Sequence, residues 1–552
     1  MSKAVSSVHV RQSFKNFFHQ RKHVIGRSSS IVPWNDPSLA FVNAGMNQFK
    51  RVFLGEELAP HPRLVNCQKC IRVGGKHNDL DAVGRSRRHH SFFEMLGNWS
   101  FGDYGKKEAC SMAWEFLTAE LGIPASNLHV TVFQGSDHFP RDEEVERIWE
   151  DIGVPRERIF ARDERENFWS MGLTGPCGPC TEIHLRQSDG KELELWNIVF
   201  MGWDKQLGDG IPTFSKLGSF CIDTGLGLER LVATLEGGDS NYDTDLFQPI
   251  LRRLQELTGG PSYSGLFANS AATGDEQPSD LSKDEAYRLI ADHARMVTVA
   301  LSDGMFPDAC QKLRHVIWRA FHRLEKQFDV DAGSTANILI ELSKVVESIL
   351  SPEYPEISRS RRIQEILVHE EMVYRRLNSR AQELRPHLPK RVAETLELDK
   401  IHECPGILEA IADVNRIIKA GELKTRVDGS QYVPPETLGR LHRSYNVSME
   451  KLFAILDWKS LDYDPTGWHI EDAKQEAVPL ADPFLSAALA FEKVASNDQS
   501  QSPTEDDWKY QATWTSDGKV RIEPLRCTVV FAQPIRDDQL EDGRVINAGD
   551  NG

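Results

Sequence analysis

The sequence predicts a mixed α/β domain over residues 8 to about 250, followed by a mainly helical region. Short apolar runs bounded by Gly and Pro, such as LHVTVF (128–133) and LELWNIVFM (193–201), are typical of strands. Helical patterns alternate with these runs, for example in EACSMAWEFLTAEL (108–121). From about 284 to 455 the apolar residues recur with helical spacing.

The N-terminal segment allows two interpretations. The first 35 residues contain basic residues and serines but no Asp or Glu, a composition typical of an organelle transit peptide. However, Val10, Phe14, Phe17 and Phe18 follow the spacing of one helix face. We favour an amphipathic helix that packs on the next segment.

Composition shifts divide the rest of the chain. Residues 259–283 are rich in Gly, Ser, Pro and Asp without a sustained apolar period, which is typical of a linker. The segment 496–507 is of low complexity, whereas 519–535 alternates and predicts two short strands. The predicted domains are 1–258, a linker at 259–283, a helical domain at 284–458, and a partly disordered C-terminal extension with a short β segment at 459–552.

Overall composition excludes several classes of protein. The chain has 40% hydrophobic residues and no window of about 18 consecutive apolar residues, so we expect no membrane-spanning helix and no membrane among its partners. Nine cysteines at irregular positions favour free thiols in a reducing compartment. The net charge of -17 argues against a surface that coats nucleic acid uniformly. It leaves room for local basic patches, and the candidates for an RNA-facing surface are 312–323, 358–362 and 385–391.

The segment 70–104 is dense in Arg, Lys and His. Arg72, Lys76 and His90 offer cationic donors for a polyphosphate, and Gly74 and Gly75 allow the backbone to approach it closely. A surface hairpin with ion pairs would have the same composition.

A second segment, CIDTGLGLERL (221–231), favours the phosphate interpretation. Asp223 ends an apolar run, and Arg230 follows within a helical pattern. Two cationic segments together with the acidic Asp223 suggest a site for ATP and an amine.

At this point the sequence resembles a known family. Residues 70–104 are similar to motif 2 of the class II aminoacyl-tRNA synthetases, and DTGLGLERL (223–231) is similar to motif 3. Further segments resemble the alanyl-tRNA synthetase branch in the same order: FVNAGMNQF (41–49), KHNDL (76–80), HHSFFEMLGNWSFGDY (89–104), ENFWSMG (166–172), TGPCGPCTEIH (174–184), ELWNIVFM (194–201) and NYDTDLF (241–247).

The resemblance implies an α+β fold, in which an antiparallel class II synthetase sheet is flanked by helices and followed by a helical tRNA-recognition domain. It implies an alanine–tRNA ligase that forms alanyl-adenylate from L-alanine and ATP and passes alanine to the 3′ end of tRNA(Ala). Arg72 and Arg230 would be catalytic, and Asn197 and Asp223 would bind alanine. The implied ATP-binding residues are Arg72, His90, Trp169, Leu195, Trp196, Asn197, Gly227 and Arg230.

The resemblance also implies Mg²⁺ with the ATP, but no zinc. Two CxxC pairs, Cys67/Cys70 and Cys177/Cys180, invite a zinc-ribbon interpretation. We do not adopt it, because the second pair lies in a loop motif of the family and the first lies just before Arg72. The zinc expected in longer family members belongs to an editing domain, whose HxxxH and CxxxH ligand pairs we do not identify here.

The sequence differs from the family pattern in two places that are expected to contribute to tRNA recognition. The segment 307–320 lacks the Asn and the Gly-Arg-Gly run that family members carry there, and Arg443 replaces an expected Asp. Acceptor-stem recognition is therefore expected to differ. Two alternatives stay open: a synthetase-like protein that binds RNA or a protein partner, and an ATP-dependent alanine ligase with another acceptor. Segments 41–55 and 109–117 resemble mitochondrial members, so we expect a mitochondrial enzyme, with the cytoplasm as the alternative. The oligomeric state stays open.

Overall fold

The computed structural model describes most of the chain in two compact units, Met1–Pro479 and Leu480–Gly552. The described residues are 6–33, 36, 39–74, 77–187, 190–208, 211–268, 278–357, 360–464, 512–514 and 520–522. Within them, no helix is both long and apolar enough to cross a bilayer.

A nine-stranded sheet organises the first part of the larger unit. The strands of this part are β1 (Val24–Ile25), β2 (Arg63–Ile71), β3 (Val73–Gly74), β4 (His77–Asn78), β5 (Phe92–Phe101), β6 (Leu128–Phe133), β7 (Ile159–Arg162), β8 (Phe168–Ser170), β9 (Gly175–Arg186), β10 (Glu192–Gly208) and β11 (Ile211–Gly227). The order in the sheet is β1-β2-β5-β11-β10-β9-β6-β7, with β8 paired to β9, while β3 and β4 form a separate ribbon. Neighbours are antiparallel except for the pairs β1–β2 and β6–β7, which are parallel.

Helices flank this sheet. They are α1 (Ser7–His19), α2 (Lys50–Phe53), α3 (Lys106–Glu115), α4 (Glu143–Ile152), α5 (Glu164–Asn167), α6 (Leu228–Glu236) and α7 (Gln248–Thr258). The predicted N-terminal helix is α1, and Phe14 and Phe18 on its apolar face are fully buried. Both rings contact Trp196 of β10. The segment 7–19 is thus part of the core under the sheet.

The second part of the unit is helical. It contains α8 (Pro278–Ser302), α9 (Gln311–Gln327), α10 (Thr335–Leu350), α11 (Ser360–Leu384), α12 (Lys390–Leu396), α13 (Gly406–Ala420), α14 (Pro435–Tyr445) and α15 (Met449–Trp458), with short strands β12 (Lys424–Thr425), β13 (Gln431–Val433) and β14 (Asp462–Tyr463). This arrangement confirms the predicted fold class, an α+β sheet flanked by helices and followed by a helical region.

Helix α8 begins at Pro278, inside the segment where the sequence predicts a linker. Proline is favoured in the first turn of a helix, and Asp280 follows it there. The helical pattern therefore starts before the apolar period becomes visible in the sequence. The predicted domain boundaries stay a prediction.

Helix α8 packs against the underside of the site-bearing strands. Asp292 accepts hydrogen bonds from the backbone nitrogen of Ser91 at 3.1 Å and from its hydroxyl. Arg295 pairs with Glu229 at 2.6 Å, and all four residues are buried. Because unpaired buried charges are costly, these bonds fix the start of β5 and the start of α6 relative to each other.

The smaller unit is described only at β15 (Ala512–Trp514) and β16 (Val520–Ile522), which pair in antiparallel fashion. β16 falls within the predicted strand segment 519–535, whose remaining residues lie outside the described part of the chain, as does the low-complexity segment 496–507.

Candidate active site

A cavity of about 280 Å³ lies on one face of the central strands. Strand residues that alternate along β11 and β10 form its floor, because successive side chains of a strand point to opposite faces. Eight of the nine predicted site residues line it: Arg72, His90, Trp169, Leu195, Asn197, Asp223, Gly227 and Arg230. Asp223 and Gly227 are four residues apart on one strand, which corresponds to roughly 13 Å.

Trp196 is the predicted residue whose side chain lies elsewhere. It is fully buried on the opposite face of β10, where it packs on Phe14, Phe18 and Phe116. A ligand in the cavity could meet only its main chain. The run LELWNIVFM is apolar on both faces, so the sequence alone could not indicate which side chains point into the cavity.

Asp223 forms the acidic end of the cavity. Its Oδ1 accepts a hydrogen bond from Nε1 of Trp99 at 2.6 Å. Among the described residues, no basic side chain forms an ion pair with it. Burial raises the pKa of Asp223 to about 7, and the bond from Trp99 only partly opposes this effect. This end of the cavity therefore offers a buried carboxyl group suited to an incoming cation.

Asn197 lies beside Asp223, across from Gly225 on the neighbouring strand. Its Nδ2 donates to Oε1 of Glu182 at 2.8 Å. Its Oδ1 is buried and has no hydrogen-bond partner among the described residues. A buried amide oxygen without a partner is unfavourable, so this atom is poised to accept a bond from a ligand.

Two glycines keep the acidic end narrow. A Cβ on Gly225 would lie 2.9 Å from Sδ of Met95, and one on Gly45 would lie 2.8 Å from the indole ring of Trp99. Met95 and Trp99 therefore approach the backbone closely and fill the space around Asp223. The space that remains suits a small group.

Arginines form the other end of the cavity. Nε of Arg72 donates to the carbonyl oxygen of Asn43 at 3.1 Å, and its guanidinium lies 5.0 Å from the ring centre of Phe93. Arg230 donates to the carbonyl oxygen of Glu194 at 3.0 Å and pairs with its carboxylate at 3.1 Å. Both guanidinium groups are held by backbone oxygens, which leaves further donors for an anion.

His90 lies in the wall between these groups and α8. Its Nδ1 lies 3.2 Å from Oδ1 of Asp292, and its Nε2 lies 2.9 Å from Nδ2 of Asn241. The ring also stacks on Phe247 at 4.7 Å. Because both ring nitrogens are engaged, His90 shapes the cavity wall more than it offers a ligand contact.

The comparisons with known proteins agree with this geometry. The sequence profile of the family described as tRNA synthetases class II (A) matches residues 9–403. The chain belongs to this family. The segments that resemble motifs 2 and 3 are thus the β2–β5 and β11–α6 elements, whose residues line the cavity.

Curated relatives in this family are alanine–tRNA ligases. The mitochondrial enzyme of Drosophila melanogaster is 37% identical over 572 residues, which cover 96% of this chain and 53% of that protein. The cytoplasmic enzyme of Caenorhabditis elegans is 35% identical over 583 residues, which cover 100% of this chain and 54% of that protein. The mitochondrial enzyme of Homo sapiens is 45% identical over 367 residues, 64% of this chain and 36% of that protein. The chain spans about half the length of the first two relatives.

Several residues that line the cavity were not predicted. The lining also includes Arg88, His89, Glu182 and Glu194. Arg88 and His89 belong to the RRHH run of 87–90, whose charge density was a usable signal. The two glutamates carried no such signal, since Glu182 acts through its cross-strand partner Asn197 and Glu194 through an ion pair with Arg230 of α6. Of the predicted phosphate-binding segment, Gly75 and Lys76 lie outside the described residues, and Gly74 lies against Lys312 of α9.

The cysteines of the two CxxC pairs are buried in separate places. Cys67, Cys180 and Cys177 belong to three different hydrophobic clusters, and Cys70 is buried as well. Burial raises the pKa of the Cys67, Cys70 and Cys180 thiols. In the described part of the chain these cysteines behave as small apolar residues.

Proposed function

We propose that this chain activates L-alanine with ATP and transfers it to the 3′ end of tRNA(Ala). The observation that carries the proposal is the polarity of one cavity. It has a narrow acidic end at Asp223 and Asn197, and a cationic end at Arg72 and Arg230. Family membership and the alanine–tRNA ligase relatives support the same substrates.

The amino acid fits the acidic end. Its ammonium group would pair with the Asp223 carboxylate and donate to Oδ1 of Asn197, which satisfies two groups that lack a cationic or donor partner. Trp99 and Met95 crowd this end and would favour a side chain as small as a methyl group. Arg72 would then hold the α-phosphate of ATP, and Arg230 the γ-phosphate end, with Trp169, Leu195 and Gly227 along the nucleotide.

The first step is attack by the alanine carboxylate oxygen on the α-phosphorus. It forms alanyl-adenylate and releases pyrophosphate, so no enzyme nucleophile is needed. The protein contributes alignment of the two substrates and stabilisation of charge on the phosphate oxygens. Mg²⁺ bound with the nucleotide would neutralise phosphate charge, and the cavity carboxylate of Glu194 is an oxygen donor that fits it. In the second step the terminal adenosine hydroxyl of the tRNA takes the alanyl group.

As part of this proposal, residues 1–258 are the catalytic domain and 284–458 the tRNA-recognition domain. Helix α9 supports this division, because its apolar face is buried while Lys312 reaches Gly74 of the β3–β4 ribbon. The altered segment 307–320 lies at the start of this helix, so we expect acceptor-stem recognition to differ from that of the relatives.

Alanine-dependent exchange of pyrophosphate into ATP tests the activation step. We expect exchange with alanine, weaker exchange with glycine and serine, and none with larger amino acids. Absence of exchange with alanine would refute activation. Charging of mitochondrial and cytoplasmic tRNA(Ala) tests the transfer step. Exchange without charging of either tRNA would favour a ligase with another acceptor, and RNA binding without exchange would favour a binding protein.

We further propose a mitochondrial location. The resemblance of segments 41–55 and 109–117 to mitochondrial members supports it, and the relatives include both mitochondrial and cytoplasmic enzymes. Fractionation of cells that express the full-length protein checks this. Recovery in the cytosol alone would contradict it.

A further inference from the structure

Three potential metal ligands come together on the sheet next to the cavity. His129 of β6 and His184 of β9 are direct cross-strand partners. Glu192 of β10 pairs with Arg186, two residues beyond His184 on the same strand. Since residues two apart on a strand share a face, all three side chains project to the same side. One ligand atom from each lies within 4.8 Å of the other two.

Nε2 of His129 is available to bind a metal ion. Nε2 of His129 is buried and has no hydrogen-bond partner among the described residues, although Oε1 of Glu192 lies 3.2 Å away. The His129 side chain is only 3% exposed. An uncharged imidazole nitrogen left without a partner in this position is costly unless something binds it.

His184 has the support that metal-bound histidines require. Its Nε2 lies 2.9 Å from Oε2 of Glu182, which leaves Nδ1 for a second interaction. Metal-ligating histidines commonly donate their other ring N–H to a carboxylate, which fixes the orientation of the ring. The two imidazole rings are nearly parallel at 23°, with centres 5.1 Å apart. Two protonated rings at that distance would repel each other, whereas two neutral rings can share one cation.

We propose that His129, His184 and Glu192 bind one divalent transition-metal ion, with Zn²⁺ as the natural occupant. Two imidazoles and one carboxylate are a ligand set that Zn²⁺ accepts, with a water molecule in the fourth position. Zinc–ligand bonds of about 2 Å require the donor atoms to approach each other by about an ångström. Glu192 can supply this movement, because its side chain is 39% exposed.

This site departs from the expectation of no zinc, and the reason lies in the topology. The expectation rested on setting aside the two CxxC pairs and on not identifying the ligand pairs of an editing domain, whereas these ligands come from three adjacent strands, at positions 129, 184 and 192. Sheet register alone brings them together. The site needs neither ATP nor an amino acid, so it stands apart from the proposed function.

Metal binding to the full-length protein tests the proposal. The protein is stripped with a chelator and titrated with Co²⁺, which reports its ligands through visible absorption, and then with Zn²⁺ by calorimetry. We expect one saturable site, displacement of Co²⁺ by Zn²⁺, and no competition from Mg²⁺, which prefers oxygen ligands.

Three variants locate the ion. His129→Phe keeps an aromatic ring but removes the nitrogens, and Glu192→Gln removes the charge of the exposed ligand. We expect His129→Phe to weaken Zn²⁺ binding by at least about 100-fold and Glu192→Gln by about tenfold. The matched control His138→Phe, at an exposed histidine, should bind as the unmodified protein does. Thermal unfolding followed by circular dichroism checks that each variant is folded.

Three outcomes would overturn the proposal. They are the absence of a saturable site, unchanged binding in a folded His129→Phe or Glu192→Gln variant, and the strong near-ultraviolet band of Co²⁺ bound to thiolate, which would locate the ion on cysteines. Pyrophosphate exchange is measured separately, and its loss or retention does not bear on this result.

Discussion

The two ends of the cavity are built in opposite ways. At the cationic end, the Arg230 guanidinium already contacts a carboxylate and a backbone carbonyl oxygen of Glu194. At the acidic end, Asp223 has one neutral donor, Trp99, and the neighbouring Oδ1 of Asn197 has none among the described residues. The cationic end is thus internally compensated, whereas the acidic end lacks the cation that would compensate it.

This difference indicates where the site stores unfavourable free energy. A carboxyl whose pKa rises from 3.8 to about 7 on folding destabilises the folded protein, once ionised, by up to about 4 kcal/mol. An ammonium group in the cavity would recover that free energy as binding. The acidic end should therefore dominate recognition of the amino acid, and the cationic end should act on the nucleotide.

Asp223→Asn tests the acidic end and is the variant for which we expect the largest effect. The amide can still accept the bond from Trp99 but cannot pair with an ammonium group. We expect kcat/KM for alanine in pyrophosphate exchange to fall by about 1000-fold or more, as expected for loss of a buried ion-pair partner. The exposed Asp137→Asn is the matched control and should leave exchange unchanged. Near-normal exchange by Asp223→Asn would refute its assignment.

The same variant should be more stable than the parent protein. Because the folded pKa of Asp223 lies above the unfolded value, its ionisation lowers stability as pH rises from about 4 to about 7. At pH 8, Asp223→Asn should raise the free energy of unfolding by about 2 to 4 kcal/mol, and at pH 4 it should have little effect. Denaturant unfolding at the two pH values measures this. An equal change at both would exclude ionisation as the cause.

Arg72→Lys tests the cationic end. Lysine keeps the charge but loses the planar fork that can bind two phosphate oxygens while contacting Asn43. We expect kcat/KM for ATP to fall by about 100-fold, with a much smaller change in KM for alanine. Arg147→Lys, on an exposed helical face, is the matched control. If KM for alanine rose as much as KM for ATP, the two ends would not act separately.

The pH dependence of kcat/KM, measured for alanine and for ATP, tests the same difference between the two ends without any substitution. Only ionised Asp223 pairs with an ammonium group, and its pKa in the free protein is about 7. We therefore expect kcat/KM for alanine to fall about tenfold per pH unit below about 7, and to level off above it. The profile for ATP at saturating alanine should lack this transition. A flat profile for alanine between pH 6 and 8 would contradict the raised pKa.

The sequence predicted best what is encoded locally. Strand β6 matches the predicted LHVTVF run at 128–133, and Asp223, Gly227 and Arg230 lie on a single strand-to-helix segment. Features set by distant pairing were not predicted. The hydrogen bonds from Ser91 to Asp292 join positions 201 residues apart, and the bulge between Glu194 and Trp196 decides which face of β10 meets the cavity. Such contacts depend on the order and register of strands, which local patterns do not contain.

Glu182→Gln is the variant for which we expect the smallest effect. It tests how much the orientation of the Asn197 amide contributes, separately from the charge of Asp223. Glu182 fixes the Asn197 amide by accepting a hydrogen bond from its Nδ2, and this leaves the buried Oδ1 without a partner among the described residues. Glutamine can present either an oxygen or an NH₂ group to Nδ2, so the amide of Asn197 would lose its fixed orientation. We expect KM for alanine to rise about three- to tenfold, which corresponds to one neutral hydrogen bond, with KM for ATP nearly unchanged. Glu157→Gln, at an exposed position, is the control. A loss as large as that of Asp223→Asn would mean that Glu182 itself acts on the substrates, and the acidic end would then contain two functional carboxylates.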